Sequence, residues 1–161
     1  MTGYNTVRGM YQRNRSDGSA RACSRWLNRV GLDVVTEGNI IQDLNGIDLV
    51  GEHHWQHKAQ FDANWFHINI QTREWNAEDH PPFYIWHHVP TGVVMVIPSV
   101  LLINDYTEKK LVTNSNQPFY TIPASQFYER FSHDHTKAVP LGDGILISQI
   151  GSAHFTGEWL W

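Results

Sequence analysis

The stretch of sequence that decides the fold runs from Asp43 to Gln60 and reads Asp43-Leu-Asn-Gly-Ile-Asp48-Leu-Val-Gly-Glu52-His-His-Trp-Gln56-His-Lys58-Ala-Gln60. Residues 47–50 and 55–61 are short runs of β-strand character, and residues 51–54 between them are long enough for a turn. The pattern therefore predicts a β-hairpin.

The second predicted strand separates its side chains onto two faces. Gln56, Lys58 and Gln60 share one face, because successive side chains of a strand point to opposite sides. Asp48 lies among apolar neighbours on the first strand, where an acid is expected only if it is paired or bound to something. We therefore expect Asp48 to converge with these three polar side chains.

A carboxylate, a second oxygen ligand and a lysine on one sheet form an arrangement that phosphodiester hydrolysis can use. The carboxylate holds a hard divalent cation, which polarises the phosphate and lowers the pKa of a bound water. The lysine stabilises developing charge or orients the water. This chemistry makes the hairpin the candidate site.

The two strands resemble the metal-binding core of the PD-(D/E)XK nuclease superfamily, which includes restriction endonucleases, Holliday-junction resolvases and many phage nucleases. The segments that carry the resemblance are Gly46-Ile47-Asp48-Leu49-Val50 and Gln56-His57-Lys58-Ala59-Gln60. In that family an Asp and an acid-x-Lys on successive strands hold magnesium, and a Gln often follows the Lys by two residues. The resemblance implies that Asp48 is a metal ligand, Lys58 the catalytic lysine and Gln60 the accompanying glutamine.

The sequence departs from the family pattern at Gln56, which stands where the family usually has Glu or Asp. The resemblance implies that the Gln56 side-chain carbonyl and the His57 backbone carbonyl are further ligands of Mg²⁺ or Mn²⁺. One negative charge is nevertheless missing. Asp43, Glu52 and Asp62 are the candidates that the sequence offers to supply it.

A plainer interpretation of the same residues stays open. Asp43-Leu-Asn-Gly is typical of a turn, and Asp48 with Lys58 would form an exposed cross-strand ion pair that contributes little. The corresponding alternative function is a non-catalytic domain that has a nuclease-like fold and binds nucleic acid or protein.

Composition bounds the class of protein. The 161 residues fit one domain, here 1–161, and 41% hydrophobic content with seven Trp indicates a folded chain. The single cysteine, Cys23, cannot form an internal disulfide, which fits a reducing compartment. There is no apolar run near the length of a membrane span. We therefore expect a soluble cytoplasmic protein without a membrane partner.

Positive charge is concentrated at the start of the chain. Six arginines against one aspartate give the first 31 residues a charge of +5, whereas the other 130 carry six basic and 15 acidic residues, or −9. Arginine suits bidentate contacts with phosphate, so DNA is the expected partner. A solvated helix face is the alternative. The candidate nucleic-acid-binding residues are Arg13, Arg15, Arg21, Arg25 and Arg29.

An amphipathic helix is predicted from Ser16 to a stop near Gly31. Ala20, Cys23, Trp26 and Leu27 recur at three- and four-residue spacing, and the arginines at 21, 25 and 29 occupy the opposite face. Residues 1–15 show no clear period, and we expect an N-terminal arm or a loose strand there.

Further strands are predicted at 32–36, 65–71, 83–89, 93–97, 119–122 and 145–150, and a helix is predicted to begin at Pro123. This order predicts an α/β (α+β) fold with a single mixed central β-sheet flanked by helices, which is restriction-endonuclease-like. The sequence Trp159-Leu160-Trp161 predicts either an end that docks on the domain or an association surface, and the latter would serve a homodimer.

Overall fold

The computed structural model describes residues 7–43, 46–130 and 145–150. Within these ranges, the side chains at 7–14, 37, 42, 43, 46, 128–130 and 149 are left undescribed. The predicted aromatic association surface at 159–161 lies outside the described residues.

The described chain forms strands and short helices after one long helix. The strands are β1 Ile40–Asp43, β2 Gly46–Val50, β3 His54–Gln60, β4 His67–Gln71, β5 Phe83–His88, β6 Val93–Pro98, β7 Lys110–Val112, β8 Phe119–Pro123 and β9 Leu146–Gln149. The α-helices are α1 Val7–Val30, α2 Thr72–Trp75 and α3 Ser99–Leu102, and two 3-10 helices lie at Glu37–Asn39 and Ala124–Arg130. The fold is therefore mixed α+β with a core made mostly of strands.

The described residues form two sheets, so the prediction of a single sheet is wrong. The main sheet has six strands in the order β1-β2-β3-β5-β6-β9, and the second has three in the order β4-β8-β7. The main sheet is mixed, because β3 and β5 are parallel while its other described neighbours are antiparallel. Parallel neighbours need a crossover connection. Strand β4 and helix α2 lie within this crossover, and β4 joins the second sheet instead of extending the first.

Helix α1 covers one face of the main sheet. Its apolar residues Cys23, Trp26 and Leu27 are buried in one cluster with Trp55 and Ile85 of the sheet. The predicted end of the helix is confirmed. The helix ends at Val30, and the next residue, Gly31, has a positive φ of 76°. The predicted start is wrong, because the helix begins at Val7.

The opposite face of the main sheet packs against the second sheet. Tyr84 and Trp86 of β5 share a buried cluster with Ile68 and Ile70 of β4 and Ile122 of β8. The alternation predicted for β4 is therefore confirmed, with its isoleucines inside and His67, Asn69 and Gln71 on the other side.

The segment 32–36 is irregular, so the prediction of a strand there is wrong. Its buried Asp33 accepts hydrogen bonds from the backbone N–H groups of Val34, Glu52 and His53 at 2.7, 2.8 and 3.0 Å, and from Trp55 Nε1 at 2.8 Å. Burial opposes the charge, yet these four donors lower the pKa of Asp33. The carboxylate thereby anchors the β2–β3 turn to the segment after α1.

The helices in the described ranges include none that is long and apolar enough to cross a membrane.

Replacing Gly51 by Ala should lower the free energy of unfolding by about 1–3 kcal/mol, because a Cβ there would lie 2.6 Å from the Val34 carbonyl oxygen and against the Asp33 carboxylate. Urea denaturation measures the loss. Gly38→Ala is the matched control, since its Cβ would meet nothing within 4 Å, and we expect a change within about 0.5 kcal/mol. Equal stability of the two variants would contradict the anchoring role of Asp33.

Candidate functional site

Strand register places three polar side chains side by side on the main sheet. Asp48 of β2 is opposite Gln56 of β3, which in turn is opposite Tyr84 of β5. Directly opposed residues share a face of the sheet, and Lys58 lies two residues further along β3 on that face. The row therefore faces the second sheet, away from α1.

Lys58 contacts an acid that sequence reasoning missed. Its Nζ donates to Glu74 Oε1 at 2.6 Å, and Tyr84 donates its hydroxyl hydrogen to Glu74 Oε2 at 2.7 Å. The Lys58 and Glu74 side chains are only 13% and 8% exposed. Glu74 lies in α2, directly after β4, and no local pattern distinguishes it from Glu78 and Asp79 nearby. Only the return of the crossover to the sheet brings it to Lys58.

The Tyr84 hydroxyl is held in its protonated form. Burial raises its pKa first, and the negative charges of Glu74 and Asp48 raise it further. Tyr84 remains a hydrogen-bond donor that orients Glu74.

Two of the acids that the sequence offered for the missing negative charge, Glu52 and Asp62, lie outside the row. Glu52 is an exposed residue of the β2–β3 turn, and the exposed Asp62 uses its carboxylate to accept from the Asn64 backbone N–H at 2.9 Å. Asp43 pairs with Gly46 at the end of β1, and its side chain lies outside the described set. Glu74 is the acid that the structure brings to the row.

The His57 side chain lies on the opposite face of β3, beneath α1. Its Nε2 is 2.8 Å from Ser19 Oγ, which is also 2.7 Å from His87 Nδ1. Burial lowers the pKa of both histidines to about 3, so both rings are neutral. The imidazole is therefore no ligand for the row, and the predicted role of His57 is left to its backbone carbonyl.

Gln60 closes the end of β3. Its Oε1 accepts hydrogen bonds from the backbone N–H groups of Phe61 and Asp62, both at 3.0 Å. The side chain thus stabilises the loop that leaves the strand. At the other end of the row, Asp48 Oδ2 lies 3.4 Å from His54 Nε2.

The arginine stripe lies on the other side of the molecule from this row. Arg21, Arg25 and Arg29 are exposed on α1, and Arg21 Nε is 3.2 Å from Asp17. The Arg15 guanidinium lies 4.1 Å from the centre of the Phe61 ring. Since α1 covers the opposite face of the sheet, the sheet and the helix separate the stripe from the row. The side chain of the predicted Arg13 is not among those described.

A cleft of about 240 Å³ opens beside Lys58. It is bounded by the main sheet, by β4 and β8 of the second sheet and by the turn that joins β7 to β8. The residues that line it are Lys58, Asn69, Gln71, Ser115, Gln117 and Phe119. Lys58 therefore contacts the buried Glu74 and also lines the cleft.

The row carries oxygen donors of the kinds that magnesium takes in proteins. Asp48 and Glu74 offer carboxylate oxygens and Gln56 an amide oxygen, and magnesium is commonly held by one or two carboxylates together with waters and phosphate oxygens. The Gln56 Nε2 is buried with no hydrogen-bond partner among the described atoms. If the nitrogen and oxygen of the Gln56 amide were exchanged, the oxygen would occupy this position, and a bound cation would then be its partner. Across the described ranges, no three His, Cys, Asp or Glu side chains form a metal-binding group.

No protein-family model matches the sequence, and no curated protein or solved structure matches it significantly. The resemblance to the nuclease superfamily therefore depends on residues 46–60 themselves.

The free energy of unfolding should fall as the pH is lowered from 7 to 5. His57 and His87 have folded pKa values of about 3 against an ordinary value of 6.5, so below 6.5 the unfolded chain takes up protons that the folded chain excludes. The slope should approach about 1.4 kcal/mol per pH unit for each histidine. The lowered pKa of His88 acts in the same direction.

Urea denaturation at several pH values between 7 and 5 measures this slope. His57→Gln removes one titrating ring and should flatten the dependence. A wild-type stability that does not change across this range would show that the buried rings protonate without cost.

Proposed function

We propose that the protein is a metal-dependent nuclease that hydrolyses DNA phosphodiester bonds at Asp48, Gln56, Lys58 and Glu74. The observation that carries the proposal is the 2.6 Å contact between Lys58 and Glu74, beside the paired Asp48 and Gln56. This contact brings a second carboxylate, that of Glu74, to a row in which Gln56 stands where the nuclease family usually has an acid. A lysine, two carboxylates and an adjoining cleft are the parts that this reaction needs.

The metal ligands in this proposal are Asp48, Gln56 and Glu74. A magnesium or manganese ion held there would supply positive charge to the phosphate under attack. Asp48 is 15% exposed at its side chain, so its charge is only partly screened by water. Gln56 is buried and contributes an oxygen without a charge.

Lys58 is the charge-stabilising residue. Its ammonium group is directed by Glu74 while it lines the cleft, so it can donate to a non-bridging phosphate oxygen or to the attacking water. Tyr84 is a positioning residue, because it holds the second Glu74 oxygen and is not among the residues that line the cleft beside Lys58.

The second candidate function is a non-catalytic nucleic-acid- or protein-binding domain. The Lys58, Glu74 and Tyr84 side chains satisfy one another, and such a buried ion pair also occurs as a purely structural feature. In that case the row would hold the two sheets together and bind no ion. Activity and metal titrations separate the two candidates.

Asp48→Asn, Lys58→Met and Glu74→Gln should each lower magnesium-dependent DNA cleavage by about 100-fold or more, because each removes a charge from the reacting centre. Cleavage of a labelled DNA, with folding checked by circular dichroism, measures this. Glu78→Gln is the matched control, since Glu78 is an exposed acid just after α2, and it should retain activity. Full activity in folded Lys58→Met would refute the assignment.

Gln56→Glu should tighten magnesium or manganese binding by about tenfold or more, because the new carboxylate stands beside Asp48 and the ion relieves their repulsion. Calorimetric titration compares it with the wild type, and Asp48→Asn should weaken binding. Absence of ion binding in all three proteins would favour the non-catalytic domain.

A further inference from the structure

The cleft beside Lys58 has a lining whose chemistry the nuclease proposal leaves unused. Asn69 and Gln71 come from β4, Phe119 from β8, and Ser115 and Gln117 from the turn between β7 and β8. We infer that this cleft is a subsite for one unstacked nucleotide, so that the substrate is a single strand or an unpaired end. The inference rests on the proposed nuclease function and names its substrate class.

The small size of the cleft favours a single base over a base pair. Its volume of about 240 Å³ lies below the roughly 300–1,000 Å³ of pockets that enclose drug-sized ligands. A space of this size takes one base, with the attached sugar and phosphate extending out of the cleft, whereas a base pair with two backbones is far larger. A paired strand would have to separate before its nucleotide reached the residues beside Lys58.

The side chains in the cleft suit a nucleotide. Three primary amides, on Asn69, Gln71 and Gln117, each offer both donors and acceptors, as the exposed edge of an unpaired base requires. Phe119 offers an aromatic ring on which a base can stack. Lys58 supplies the cation for the attached phosphate. Base, stacking surface and phosphate site are thus gathered in one space.

Two of these amides, those of Gln71 and Gln117, are oriented by hydrogen bonds. Gln71 donates from Nε2 to Gln117 Oε1 at 2.5 Å, and Arg73 Nη2 donates to Gln71 Oε1 at 3.3 Å. These bonds connect the end of β4 to the turn before β8, so both sides of the cleft are held in place. Such preorganisation lowers the entropic cost of binding.

A second cation lies on the same face of the second sheet. Lys110 is opposite Thr121, which is opposite Asn69, so these three residues share one face. Lys110 is exposed and can contact the phosphate of a neighbouring nucleotide. A single strand could therefore continue from Lys58 past Asn69 to Lys110, on the side of the molecule away from the arginine stripe.

Binding of fluorescein-labelled DNA, measured by anisotropy in EDTA, tests the inference without cleavage. The wild-type protein should bind a 12-nucleotide single strand about tenfold or more tightly than a blunt hairpin duplex. Phe119→Ala should weaken single-strand binding by about fivefold to 100-fold, which is the loss expected for one stacked base, and should leave duplex binding unchanged. Leu111→Ala is the control, because Leu111 is exposed on β7 outside the cleft lining.

Equal affinity for both forms of DNA, an unchanged Phe119→Ala protein, or no binding of the single strand would overturn the subsite. Magnesium-dependent cleavage by the same preparations separates this result from the fate of the nuclease proposal. Single-strand preference that depends on Phe119, without cleavage, would support the subsite and reject the nuclease. Cleavage that depends on Asp48, with no effect of Phe119→Ala on single-strand binding, would do the reverse.

Discussion

The buried contact between Lys58 and Glu74 joins the two sheets, and the geometry of the candidate site depends on it. Lys58 belongs to the main sheet, whereas Glu74 follows β4 of the second sheet. A lysine that is only 13% exposed needs a counter-charge, because an unpaired ammonium in such surroundings is costly. The Tyr84 hydroxyl holds the other carboxylate oxygen. The same cluster therefore sets how the crossover lies on the sheet and where a second carboxylate joins Asp48.

The side chains of strand β3 alternate between two different environments. Gln56 and Lys58 point to the charged row, while Trp55 and His57 point to the core beneath α1. On the core side, Ser19 satisfies two neutral imidazoles without introducing charge. A slip of one residue in register would bury a lysine under the helix and expose Trp55, so the pairing of β3 is strongly specified.

The arginine stripe of α1 and the candidate reacting groups lie on opposite sides of the main sheet. The arginine stripe of α1 can raise affinity for any polyanion in a salt-dependent way, since phosphate contacts carry no sequence information. The cleft beside Lys58 combines one cation with amides and an aromatic ring, which is the composition of a site that discriminates. In the proposed function, attraction of a nucleic acid and the choice of its reacting nucleotide would therefore fall to separate surfaces.

The sequence by itself determined the features that depend on local periodicity. These are the hairpin that pairs Asp48 with Gln56, the side of β3 that carries Lys58, and the exposed arginines with their helix end at Gly31. Tertiary structure decided the rest. It separated β4 and β8 into a second sheet, brought Glu74 to Lys58 and shaped the cleft around Phe119. The physical reason is that strand alternation and helical spacing depend on residues that are close together in the sequence. The partner of a buried charge depends instead on how a crossover packs against the sheet. The residues next to that charge in the sequence do not determine this packing.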